Sequence, residues 1–164
     1  AIAPKLTKNP LQIYYAAPIA GATSDKDDIK RVGAVVQKYG NILTKHVMDD
    51  DVWEKEAANK AKGVNIFLRD ISWLDQSNML VGEVTMPGSY GVGREIERAV
   101  ETLEIPVILF YNEWKRQAIY EAQKPSPLSK MLTDDSRLII VPYNPQNLES
   151  VVDAAMKKVV ESLY

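Results

Sequence analysis

Residues 89–95, Ser89-Tyr90-Gly91-Val92-Gly93-Arg94-Glu95, combine a hydroxyl, two glycines and a carboxylate within seven positions. Glycines let a backbone approach a ligand closely, and a helix opening there would favour an anion at its N-terminus. Ser89, Gly91 and Gly93 therefore read as a phosphate cradle. Glu95 is expected in the first turn of the following helix, where the helix dipole would keep it ionised. An ionised carboxylate so placed could attack an electrophilic carbon or stabilise a cation. Two further acids belong to the same reading. Asp70 sits among Leu68, Ile71 and Trp73, where a carboxylate needs a reason, and Glu83 ends an apolar run. Carboxylates converging on one cleft suit glycosidic-bond cleavage, with one as nucleophile and another giving or placing a proton. Tyr14 could hydrogen-bond the nucleophile, and His46 could act as a base. Each has a plainer reading: Glu95 a stabilising helix-terminal acid, Asp70 an arginine's partner, Glu83 a cap or ion pair, Tyr14 a core aromatic, His46 a structural residue.

These residues need elements to place them. Gln12 to Ala17 reads as a first buried strand. A helix is predicted from a start at Ser24-Asp25 to about Tyr39, with Gly40 as its stop. Asn41 to Val47 reads as a second strand. The polar stretch from Asp49 to Gly63 is expected to contain some helix. Val64 to Leu74 reads as a further helix, with Ile66, Arg69, Asp70 and Trp73 grouped by helical spacing. Met79 to Val84, Ile105 to Tyr111 and Arg137 to Pro142 supply three more strands. The helix between the first two of these is expected over Gly93 to Leu103. Another is expected over Glu113 to Met131, interrupted near Pro125 and Pro127. Leu148, Val152, Met156 and Val159 belong to the apolar stripe of a final helix.

Apolar strands alternating with helices predict a single-domain, doubly wound α/β fold of the Rossmann or flavodoxin-like kind. It has a five-stranded parallel sheet covered on both faces. Residues 1–11 read as a loose arm and 12–164 as the domain. Ligands of such sheets bind at the carboxyl ends of the strands, which directs attention to residues 16–23, His46, residues 83–95 and the loop after Tyr111. Neither glycine-containing loop matches the G-x-G-x-x-G dinucleotide fingerprint.

The chain of 164 residues is 46% hydrophobic and 26% charged, with a net charge of −2. No basic field is available for a nucleic-acid polymer. There is no cysteine and a single histidine, which excludes disulfides, thiolate zinc sites and multi-histidine metal centres. No apolar run approaches the ~18 residues of a membrane span, and a cytoplasmic location, in a eukaryote also nuclear, is expected.

Several blocks resemble the 2'-deoxynucleoside 5'-phosphate N-hydrolases of the nucleoside 2-deoxyribosyltransferase superfamily. They are Ile13-Tyr14-Tyr15 with Ile19-Ala20-Gly21, Tyr39 to Val47, Arg69 to Leu74, Val81 to Glu95, and Leu128 to Met131. The block ending in Glu95 is the most specific and resembles E-V-T-x-P-S-x-G-V-G-x-E, with one extra residue near Gly88. The resemblance spans about Ile13 to Tyr143. It implies that Glu95 attacks the anomeric carbon of the deoxyribose, that Asp70 assists departure of the base and that Tyr14 orients the nucleophile. Ser89, Gly91 and Gly93 would contact the 5'-phosphate, and Ile19, Gly21 and His46 count as further substrate-binding candidates. Ser129 matches a phosphate-binding serine that the family takes from the neighbouring subunit, so a homodimer is implied. The resemblance implies no metal or cofactor, and the expected partner is a small-molecule nucleotide.

The first loop departs from the family. Where the family reads roughly G-S-I-R-G-G, this chain has Ala17-Pro18-Ile19-Ala20-Gly21-Ala22, without the serine and the arginine. A bidentate arginine is a strong phosphate ligand; Arg94 or Lys26 are the cations that could stand in. A deoxyribosyltransferase acting on unphosphorylated nucleosides is therefore the alternative to a nucleotide hydrolase. A non-catalytic nucleotide-binding module is the third reading.

Overall fold

A computed structural model describes residues 10–19, 26–86, 90–123 and 128–164, the side chains of 120–123 excepted. Five strands form one sheet: β1 (Gln12–Ala16), β2 (Asn41–Ile42), β3 (Met79–Glu83), β4 (Val107–Asn112) and β5 (Leu138–Tyr143). All pair in parallel, in the order β2-β1-β3-β4-β5. The helices are α1 (Lys26–Val36), α2 (Val52–Ala61), α3 (Ile66–Asp75), α4 (Tyr90–Glu97), α5 (Glu113–Gln123), α6 (Lys130–Thr133) and α7 (Leu148–Leu163). The fold is the doubly wound α/β architecture that the alternating pattern predicts. Leu11, just before β1, is buried in the core; the rest of the proposed arm lies almost wholly outside the described residues.

Alternation along the strands divides the core into two layers. Ile13, Tyr15, Met79, Val81, Ile108 and Phe110 pack against α1 and α7. Tyr14, Ala16, Leu80, Val107 and Leu109 face the other way, onto Leu74 of α3 and Val92 and Ile96 of α4. The chain leaves β1 for β2 on one side and β3 pairs on the other, so strand order reverses between β1 and β3. The crevice at that reversal is where such sheets take ligands. Tyr14, α3 and α4 share its face.

Three sequence expectations need correction. The second strand ends at Ile42, and Lys45–Met48 is a 3-10 helix. Thr44 is the reason: its hydroxyl accepts from the Tyr15 amide at 2.9 Å and donates to the Tyr15 carbonyl at 2.7 Å. One side chain thus does the hydrogen bonding that a further strand residue would have done. Thr44→Val removes both buried hydrogen bonds to the Tyr15 backbone and is expected to lower stability by about 2–4 kcal/mol, read as a fall in the urea midpoint. Gly40 does not end α1 by a left-handed turn, since its φ is not positive. A Cβ there would lie 2.4 Å from the Leu11 carbonyl oxygen, so the position is glycine because two backbones touch. Lastly, the helix expected from Gly93 begins at Tyr90, and its continuation over Arg98–Thr102 widens into a π-helix.

Candidate active site

The early start of α4 changes the position of Glu95. It stands five residues into the helix rather than in its first turn. Val92 and Ile96 anchor α4 on the sheet, and Glu95, one helical turn on from Val92, falls on the face that meets β1. There the Tyr14 hydroxyl donates to Glu95 Oε1 at 2.9 Å.

Asp70 arrives from α3. That helix starts at Asn65, whose side-chain oxygen accepts from the Leu68 amide at 3.0 Å, and is held down by the fully buried Leu74. Two contacts lock α3 to α4 and its π-helical continuation. Arg98 pairs with Asp75 through Nε at 2.7 Å and Nη2 at 2.9 Å, and Arg94 lies over the Phe67 ring, 4.7 Å from its centroid. Arg94 is thus engaged with α3, and Lys26 donates to the Val47 carbonyl at 3.2 Å.

Around Asp70 lies a charged cluster. Arg69 donates to Asp70 Oδ1 from Nε (2.9 Å) and Nη2 (2.8 Å), and to both oxygens of Glu56 on α2 at 2.8 Å. It also stacks over Trp73, 4.8 Å from the centroid. His46 stands 3.5 Å from Arg69 Nη2 and 3.8 Å from Glu56 Oε1, with its ring tilted on Trp73.

The structure therefore brings Tyr14, Glu95, Asp70 and His46 to one face at the β1/β3 reversal. Gly91 and Gly93 sit exposed in the first turn of α4, and among the described residues a Cβ on Gly93 would meet no heavy atom within 4 Å beyond its own helix backbone and chain neighbours. Ile19 is half-buried just past β1. Ser129 caps α6, accepting from the Met131 amide at 3.2 Å, and makes no described contact with the cluster. Glu83, read as a third acid of the cleft, points into the opposite layer, where it accepts from the Thr85 amide at 3.1 Å and from Tyr143 at 3.3 Å. Gly21 and Ser89 lie outside the described residues.

No protein-family model matches the chain. A 5-hydroxymethyl-dUMP N-hydrolase of Mus musculus is 30% identical over 148 residues, covering 87% of this chain and 78% of the mouse protein. The chain belongs to the 2'-deoxynucleoside 5'-phosphate N-hydrolase family. A Nematostella vectensis protein provisionally named 2'-deoxynucleoside 5'-phosphate N-hydrolase 1 is 41% identical over 90 residues, 55% of this chain and 60% of that protein. A 5-hydroxymethyl-dUMP N-hydrolase of Homo sapiens is 27% identical over 144 residues, 86% of this chain and 76% of the human one.

In this N-hydrolase homologue the charge states follow from burial. Burial pushes Glu95 up to about 7; the Tyr14 hydrogen bond opposes the rise and the charge of Asp70 adds to it. The expectation of a dipole-stabilised carboxylate is thus reversed: an interior position replaces the helix terminus. Burial also raises Tyr14, with the charges of Glu95 and Asp70 behind it, so the phenol stays a hydrogen-bond donor. Asp70 is raised by burial against the pull of Arg69, and His46 is lowered by burial and by Arg69. The residue that sequence reasoning missed is Glu56. Helix α2 buries only Val52, so no periodic stripe marks which of its faces meets α3. Among the described residues no helix is long and apolar enough to cross a membrane.

Proposed function

We propose that the chain hydrolyses the N-glycosidic bond of 2'-deoxynucleoside 5'-monophosphates, releasing free base and 2-deoxyribose 5-phosphate. The observation that carries this reading is the Tyr14–Glu95 hydrogen bond beside Asp70, in the crevice where strand order reverses. Ionised Glu95 attacks C1' of the sugar. The C1'–N bond breaks, its electrons pass to the base, and Asp70 protonates the departing base. Water then cleaves the glycosyl ester on Glu95, giving its proton to Asp70, and the carboxylate is restored. The missing 2'-hydroxyl helps, because no electron-withdrawing oxygen opposes the positive charge developing at C1'. Tyr14 holds one Glu95 oxygen and leaves the other to react.

The 5'-phosphate is assigned to Ser89 and the backbone amides at the start of α4, where the first N–H groups have no partner inside the helix. Ile19, Gly21 and His46 are assigned to substrate binding, and Ser129 to the second copy in a homodimer. Residues 12–164 form the catalytic domain. The exposed Gly93 supports the phosphate assignment. In Gly93→Ala the new methyl meets, among the described residues, no atom within 4 Å beyond its chain neighbours and its own helix backbone, and alanine favours the helix. The melting temperature should hold or rise while KM for a monophosphate rises by about tenfold or more; an unchanged KM would remove Gly93 from the site.

Pro18, buried where the family has a hydroxyl, favours the second reading, base exchange on unphosphorylated deoxynucleosides. One assay separates the two. Each deoxynucleoside monophosphate and each deoxynucleoside is incubated with and without an acceptor base, and the products are resolved by chromatography. Free base with deoxyribose 5-phosphate is expected. Exchange confined to unphosphorylated substrates would establish the transferase instead, and no turnover of any substrate would overturn both.

A further inference from the structure

We propose that Glu56 and Arg69 form a positioning pair that holds Asp70 by one oxygen while keeping the full guanidinium charge away from it. The inference rests on the hydrolase reading above and extends it to a residue outside the matched motifs.

The motive is a conflict between role and neighbour. Asp70 must carry a proton to the departing base, yet it accepts two hydrogen bonds from an arginine. An arginine at that distance ordinarily holds a carboxylate ionised, lowering its proton affinity by about one to three pH units. A carboxylate locked in that way would be a poor acid.

Glu56 resolves the conflict. Arg69 presents Nη1 and Nη2 to the two Glu56 oxygens, both at 2.8 Å, the fork geometry in which guanidinium and carboxylate neutralise each other. Only its Nε edge and one bond of a shared Nη2 remain for Asp70, both directed to Oδ1. Among the described residues none hydrogen-bonds Asp70 Oδ2, which is left to exchange a proton with the base. The pair is also well sheltered: the side chains of Arg69 and Glu56 are 18% and 13% exposed. Trp73 covers the guanidinium from one side, which keeps its plane fixed.

The charged and titratable groups around Asp70 come from five segments: Arg69 on its own helix, Glu56 on α2, His46 on the 3-10 helix, Glu95 on α4 and Tyr14 on β1. His46 is depressed by burial and by Arg69, so it adds no fixed positive charge near neutral pH. Glu56 is held low by Arg69 and stays ionised. Its negative charge works in the direction of keeping the Asp70 proton on. Helix α2, nearly devoid of buried residues, is then explained by what it carries to the site.

The test is Glu56→Gln. The amide keeps the shape of the fork and removes the charge, so Arg69 bears unshared on Asp70 and the proton is lost more readily. On the alkaline side, turnover is limited by the fraction of enzyme with Asp70 protonated, and kcat/KM for a deoxynucleoside monophosphate should fall there by about tenfold or more. The fall should lie in kcat with KM nearly unchanged, and on the acid side the variant should approach the wild type. A loss equal at every pH, or one confined to KM, would overturn the proposal. A second measurement does not depend on turnover, and its wild-type half does not depend on the variant's folding. The carboxyl 13C resonance of Asp70 in the wild-type protein should titrate above the ordinary carboxylate range, and in Glu56→Gln it should move down. A wild-type Asp70 that titrates below that range overturns the positioning pair even if hydrolysis is established; an inactive wild type with the expected titrations would instead sink the hydrolase reading alone.

Discussion

Glu95→Gln is expected to abolish hydrolysis and, above neutral pH, to stabilise the fold. The loss of activity follows from removing the proposed nucleophile. An amide cannot form the glycosyl ester, and kcat should fall by roughly 10³-fold or more. The gain in stability follows from burial. In the unfolded chain Glu95 titrates near 4.5, whereas in the folded protein it is pushed up to about 7. The native state therefore holds the extra proton between those values, and stability falls as pH rises through that window. At pH 8 the ionised carboxylate costs about 3 kcal/mol relative to an unperturbed one. Glutamine is neutral at every pH and keeps an oxygen to accept from Tyr14. The variant should melt several degrees above the wild type at pH 8, with the difference shrinking towards pH 4.5. Thermal unfolding at the two pH values, beside the product assay, reads both effects. Equal melting temperatures at pH 8 would mean that the carboxylate is not strained by burial, and retained hydrolysis would remove Glu95 from the chemistry.

Such a strained acid explains which parts of the protein were legible in its sequence. The sheet was, because β1, β3 and β4 are almost wholly buried and read as apolar runs, and because α7 carries an unbroken stripe. The second strand was misjudged in length, since Ile42-Leu43-Thr44 looks extended by composition, and only the fold reveals that the Thr44 hydroxyl takes over the pairing. Glycine propensity put the start of α4 too late. Packing of Val92 and Ile96 on the sheet overrides the cost of Gly91 and Gly93 inside the helix. That shift of three residues moved Glu95 from a terminus to the interior and reversed its expected charge state. Tyr14, Asp70 and Glu95 were found through motif blocks, and their common face follows from the parity of β1 and the pairing of α3 with α4. Glu56 had no such signature: its place depends on one side-chain fork between two helices.

Tyr14→Phe should change how activity depends on pH more than it changes the fold. In the proposed mechanism the reactive form needs Glu95 ionised and Asp70 protonated. When pH lies below both titrations, the population of that form is limited by Glu95 alone; above both, it is limited by Asp70 alone. This holds whichever group titrates first, which matters because the two carboxylates interact and their macroscopic values belong to the pair. The Tyr14 hydrogen bond lowers the proton affinity of Glu95. Its removal should raise that affinity by about one to two pH units, the value of a hydrogen bond to a charged group. The loss in kcat/KM should therefore grow towards acid pH, to roughly 10–100-fold, and shrink to a small constant factor on the alkaline side. The phenol cannot itself be the titrating group, because burial and its acidic neighbours hold its proton well above the ordinary range. A loss of the same size at every pH would place Tyr14 on the substrate instead of on the nucleophile. Tyr14→Phe and Glu56→Gln thus fail at opposite ends of the pH scale, one through the nucleophile and the other through the acid, and a rate profile of both variants beside the wild type separates two carboxylates that no single titration of the native enzyme could assign.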